Sequence, residues 1–158
     1  MNTFSISDIS NSKDRYKLFV LMCSQNDISN GITYIRSQKL KAVNIGQELA
    51  VYIDKLKDFS YIDIDIADYF KKLLENNKSK INNYGNDVVA IYNLGILFES
   101  SFKLNVVQLL TTFSKSTAII ILWENEIDFQ DKLSWHTQKD KIFLDFSEAK
   151  LKKFQYEI

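Results

Sequence analysis

Lys17-Leu18-Phe19-Val20-Leu21-Met22-Cys23-Ser24-Gln25-Asn26-Asp27 decides the fold of this chain. Its first half is a continuous apolar run, as a strand buried on both faces requires. Its second half is polar and turns the chain into a helix starting near Ile28, with Asn26 or Asp27 as cap. Where such a strand–loop–helix junction cradles phosphates, glycines let the backbone amides approach and a lysine neutralises the charge. This loop has neither, and after Lys17 no lysine follows before Lys39. It offers Ser24, Gln25, Asn26, Ser29 and Asn30, whose neighbouring amides suit a weakly held anion. The same residues suit helix capping and chain reversal.

Outward from this junction, strands and amphipathic helices alternate. The pattern predicts a helix over Ile28–Gln38, a short strand over Lys41–Asn44 and a helix over Gln47–Lys57. A longer helix is expected over Ile62–Asn76, where Ile62, Ile66, Tyr69, Phe70, Leu73 and Leu74 form one stripe. The run Asn76–Asn86 reads as a loop. Val88–Tyr92 and Ala118–Trp123 read as two more buried strands, separated by a helix bearing Val106, Val107, Leu109, Leu110 and Phe113. The last strand is expected over Lys141–Leu144, followed by a partly helical tail, Ser147–Tyr156. Continuous apolar strands between amphipathic helices predict one α/β domain with a mainly parallel sheet covered on both faces.

Composition narrows the function classes. The 158 residues are 46% hydrophobic and 25% charged, with a formal net charge of zero. That suits a globular domain and offers no global basic excess for a nucleic-acid backbone. One cysteine, Cys23, excludes an internal disulfide, and one histidine, His136, leaves little for a zinc site. No apolar stretch approaches the ~20 residues that span a bilayer, and Met1–Asp14 does not resemble a secretory leader, so the cytoplasm is the expected compartment. Proline is absent, so turns fall to Gly, Asn, Asp and Ser.

In an open parallel sheet, ligands bind beyond the carboxyl ends of the strands. A hydrolytic nucleotide site needs an acidic strand end there to hold metal and water. Here the run is Tyr92-Asn93-Leu94-Gly95, with no carboxylate before Glu99. Asp63, Asp65 and Asp68 read as helix-start acids that complement the dipole, with a metal cluster as the alternative. His136 reads as a solvated residue in a loop, and Cys23 as a small buried packer. The lysine pairs Lys39/Lys41, Lys55/Lys57, Lys71/Lys72, Lys78/Lys80, Lys139/Lys141 and Lys152/Lys153 read as solvated faces, with a phosphate-contacting stripe as the alternative.

Three runs carry a family resemblance: Tyr92-Asn93-Leu94-Gly95-Ile96-Leu97-Phe98-Glu99, Val107-Gln108-Leu109-Leu110-Thr111-Thr112-Phe113-Ser114-Lys115 and Ile119-Ile120-Ile121-Leu122-Trp123-Glu124-Asn125-Glu126. Together with Ala42–Leu49 they resemble the small P-loop protein of BREX phage-defence systems, the BrxF type. On that resemblance Asn93, Trp123 and Glu126 match the family's residues, and Lys115 replaces an arginine. Tyr92 stands where the metal-linked aspartate would be, and Gly95 where a glutamate would be. Ser29 and Asn30 stand near the phosphate lysine and the magnesium hydroxyl.

The resemblance implies a P-loop fold of the AAA+-related kind, in bacterial antiviral defence, with catalysis lost at the departures. The expected function is a non-catalytic accessory or assembly subunit without a cofactor. Its partners would be other defence proteins or a second copy, contacted through Phe98, Lys115, Trp123 and Glu126. A nucleotide-binding switch, holding ATP and magnesium at Ser24, Asn26, Ser29, Asn30 and Asn93 without hydrolysis, is one alternative. A DNA-contacting accessory protein that uses the lysine pairs is the other.

Overall fold

The computed structural model describes residues 4–23, 27–124, 127–128, 132–136 and 141–155. The chain opens with α1 (Ile6–Ser10), β1 (Leu18–Met22), α2 (Ile28–Ser37), β2 (Ala42–Asn44) and α3 (Ile45–Lys55). It continues through α4 (Ile62–Asn77), β3 (Ser79–Lys80), β4 (Asp87–Tyr92), two short 3₁₀ turns at Gly95–Phe98 and Ser100–Phe102, and α5 (Val106–Phe113). It closes with β5 (Thr117–Trp123), β6 (Ile127–Asp128), β7 (Lys132–His136), β8 (Lys141–Asp145) and β9 (Lys152–Phe154).

The main sheet runs in the order β2-β4-β5-β1-β9, every neighbouring pair parallel, with β3 added antiparallel to β4. Alternation along the central strands divides their side chains between two cores. Leu18, Val20, Val89, Ile91, Ile119, Ile121 and Trp123 face one way, towards Leu49 of α3, Phe70 and Leu74 of α4 and Leu110 of α5. Phe19, Leu21, Ala90, Ile120 and Leu122 face the other way, towards Ile6 and Ile9 of α1 and Ile35 of α2. All seven residues of β5 are buried, which is why its sequence lacks a polar face. The result is a three-layer sandwich.

Asparagine starts α3 and α5. The side chain of Asn44 accepts from the Gln47 amide at 3.0 Å to begin α3, and Asn105 accepts from Gln108 at 3.0 Å to begin α5. Asp63 and Asp65 lie in the first turn of α4, where the helix dipole favours them.

The carboxyl-terminal third departs from expectation. Lys141–Leu144 is not the last parallel strand. As β8 it joins β6 and β7 in a separate antiparallel sheet, whose Leu133 and Leu144, with Phe146 just after β8, pack on the α3–α5 side. His136 belongs to β7 and pairs with Lys141, so it is not in a loop. The sixth strand of the main sheet comes from the tail expected to be partly helical. There β9 runs beside β1, burying Phe154 while Lys152 and Lys153 sit on the edge. An edge strand buries little on its outer side, and lysines there block pairing with other chains, so its sequence does not read as a core strand. At the other terminus Ser5 and Asp8 form a reciprocal capping box that starts α1.

Candidate functional site at the carboxyl ends of the strands

Neighbouring strands β1 and β5 send their outgoing chains to opposite faces of the sheet. From β1 the chain enters α2, on the Ile35 side; from β5 it enters the small sheet, on the Leu133 side. This is a topological switch point, where a doubly wound sheet opens its ligand crevice. The ladder continues one step past β1, because the Cys23 amide donates to the Trp123 carbonyl at 2.9 Å.

Cys23 is buried at this point. Its thiol pKa is raised to about 11, first by burial and then by the carboxylates of Glu124 and Asp27. Gly31, in the first turns of α2, packs so closely that a β-carbon there would lie 2.7 Å from the Cys23 sulfur. At the end of β1 the buried thiol is therefore held protonated.

Ser29 and Asn30 are exposed on the first turn of α2. The Asn30 side-chain amide donates to Asp27 Oδ1, and its backbone amide donates to the Asp27 carbonyl at 3.2 Å. The Ser29 carbonyl accepts from the Thr33 hydroxyl at 2.9 Å. Ser24, Asn26 and Glu126 lie outside the described residues.

Asn93 ends β4 in the left-handed region, at φ 59°, a conformation asparagine tolerates better than most side chains. Its Nδ2 donates to Asn44 Oδ1 at 2.8 Å, tying the end of β4 to the cap of α3. Two strand ends are thus bridged by a pair of side-chain amides.

Beyond Asn93 an aromatic cluster closes the strand ends. Trp135 of β7 lies with its ring centroid 5.7 Å from that of Trp123 and 5.6 Å from that of Phe98, both tilted by 58°. Its indole rests on Gly95, where a β-carbon would come within 2.5 Å of Trp135 Cζ2. Trp123 is 2% exposed and packs in the core, whereas Phe98 is half-buried. Phe98 also lines a groove of about 500 Å³ that runs between α5 and the exposed Phe143 of β8.

Lys115 is held apart from this cluster. It follows α5 at the amino end of β5, and its ammonium sits 5.8 Å from the Tyr16 ring centroid, with the Arg15 guanidinium at 5.2 Å. There it lines a second cleft, about 410 Å³, with Tyr16, Thr111 and Glu148. Phe98 and Lys115 thus mark opposite ends of α5.

Among the lysine pairs, Lys78 bridges Glu75 and Asp87, and Lys152 bridges Asp14. Among the described residues no three His, Cys, Asp or Glu side chains converge as a metal site. No helix is long and apolar enough to cross a membrane.

Trp135 is the residue that sequence reasoning missed. Its one signal was the alternation around Leu133 and Trp135, too short to stand out as a strand. No family model, curated protein or solved structure matches the chain. The likeness to the defence proteins rests on the short runs quoted above.

Proposed function

We propose that this chain is a P-loop-like scaffold of the AAA+-related kind that has lost nucleotide chemistry and serves as an accessory or assembly subunit in bacterial antiviral defence. The strand order supports the fold relation: the fourth parallel strand, β5, is inserted between the first and the third, with the switch point at the end of β1. The defence setting rests on the resemblance of the runs around Asn93, Lys115 and Trp123.

The observation that carries the reading is Trp135 on Gly95. A catalytic glutamate at that position needs a side chain where the indole now lies. Displacing the indole would open the Trp123–Trp135–Phe98 cluster, so the space of the missing acid is occupied by packing.

The test is thermal unfolding of the pure protein with and without Mg-ATP and Mg-ADP, paired with a phosphate-release assay. No shift and no turnover are expected. A ligand at ~100 times its Kd adds about 2.7 kcal/mol, which is readily seen in a domain of this size. Such a shift without turnover would replace this reading with the nucleotide switch, and magnesium-dependent turnover would overturn both.

A further inference from the structure

Among the described residues the small sheet runs β6-β7-β8, and β8 pairs with β7 alone, so its far side is a sheet edge. A groove of about 500 Å³ runs beside it, lined by Ile142, Phe143 and Leu144 and, across from them, by residues between 97 and 107. Consecutive strand residues point to opposite faces. All three line the groove, so it borders the edge of β8 rather than one of its faces. Phe143 is 51% exposed, and Asp145, on the same face, is exposed as well.

The sequence of this edge selects its partner. β8 reads Lys141-Ile142-Phe143-Leu144-Asp145. Two antiparallel copies pair over all five residues in one register only, centred on Phe143. That register sets lysine 141 against aspartate 145 on both sides of the axis, Ile142 against Leu144, and Phe143 against itself. Each is a favourable cross-strand pair. A slip by two residues leaves three pairs and loses both lysine–aspartate contacts. On β7, Lys132 lies opposite Asp145 and His136 opposite residue 141. Across the paired sheets the row reads Lys132, Asp145, then Lys141 and His136 of the second copy, so no like charges meet at the new seam. Glu99 and Lys103 both line the groove, one of each sign, so its wall favours neither an acidic nor a basic partner. The strand itself supplies the selection. Charged residues on an edge block pairing with other chains; here they disfavour every register but one.

We infer that β8 pairs antiparallel with β8 of a second copy about a twofold axis at Phe143, joining the two three-stranded sheets into one. The occupant of the edge is the same five residues of another chain. The pairing does not depend on the packing of Trp135 on Gly95, so it can fail while the proposed function stands.

Two measurements on the full chain test this. In sedimentation velocity, from micromolar to near-millimolar concentration, a reversible dimer is expected, weak because a five-residue seam is small. Phe143→Asp sets two carboxylates on the axis and should weaken it about 30-fold, as when a hot-spot side chain is lost. The second measurement is disulfide trapping. Directly opposite residues of an antiparallel pair have Cα atoms roughly 4.5–5.5 Å apart, within disulfide range. Phe143→Cys should therefore cross-link to itself under mild oxidation, and Lys141→Cys mixed with Asp145→Cys should cross-link as a pair. Lys141→Cys alone should not, because the two copies of position 141 lie roughly 14 Å apart along the seam. Cys23 is buried and does not compete. Circular dichroism should be unchanged in each variant. A monomer at every concentration, a dimer indifferent to Phe143→Asp, or cross-links that ignore this register would overturn the proposal.

Discussion

The parallel sheet and the small antiparallel sheet of this protein are built on different terms. In β1, β4 and β5 nearly every side chain is buried, on one face against α3–α5 and on the other against α1 and α2. In β8 Leu144 is buried, but Phe143 is 51% exposed. The first sheet is a core with two sides; the second is a cover with one. The cover nevertheless supplies Trp135, the residue that closes the strand ends. A thin, weakly patterned element can thus pack over strand ends whose scaffold lies elsewhere.

Substitutions in the two sheets should separate them. Ile121→Ala, in the fully buried centre of β5, should cost about 3–5 kcal/mol and lower the urea midpoint of the whole domain. Trp135→Ala, at a half-buried position, should cost about 2 kcal/mol. Its hydrogen exchange should quicken over 132–136 and 141–145 while β1 and β4 stay protected. Uniform loss of protection would mean that the two sheets unfold as one unit, and the contrast would fail.

The packing of Trp135 on Gly95 sharpens the contrast further. Gly95→Ala should destabilise by about 1–3 kcal/mol through overcrowding. In the Trp135→Ala background most of that cost should vanish, because the two residues are in direct contact. Additive effects in urea denaturation would show that the indole does not occupy the space above residue 95. At Asn93 the backbone is the issue. Asn93→Ala should cost about 1–2 kcal/mol through left-handed strain, whereas Asn93→Gly should be close to neutral.

The smallest effect concerns the buried thiol at the end of β1. Burial raises the Cys23 pKa from 9.0 to about 11, so the folded state favours the protonated thiol. That contribution to stability is fully present below about pH 9 and is lost as pH rises through about 11. Iodoacetamide should leave Cys23 unmodified in the folded protein near neutral pH and label it readily once the chain is unfolded. Fast labelling of the folded chain at neutral pH would show that Cys23 is open to water.

Much of the fold was legible because its signals are local. Five apolar residues at Leu18–Met22 and six at Ala118–Trp123 read as buried strands, and the stripe from Ile62 to Leu74 reads as a helix. The missing lysine of the first loop was equally plain. The site was less legible. Asn93 drew notice as a departure from an acidic strand end, but nothing nearby in sequence showed that Asn44, forty-nine positions away, accepts its hydrogen bond.

By itself the sequence determined the alternation of strands and helices, the two-sided burial of the central strands and the chemistry absent from the first loop. Each of these follows from side-chain periodicity or composition over a few neighbouring residues. Tertiary structure alone decided that Lys152–Phe154 joins β1, that Lys141–Asp145 leaves the main sheet, that Phe98 and Lys115 part to opposite ends of α5, and that Trp135 covers Gly95. These pairings join residues distant along the chain. Their stability comes from apolar area and shape that exist only once the layers have packed.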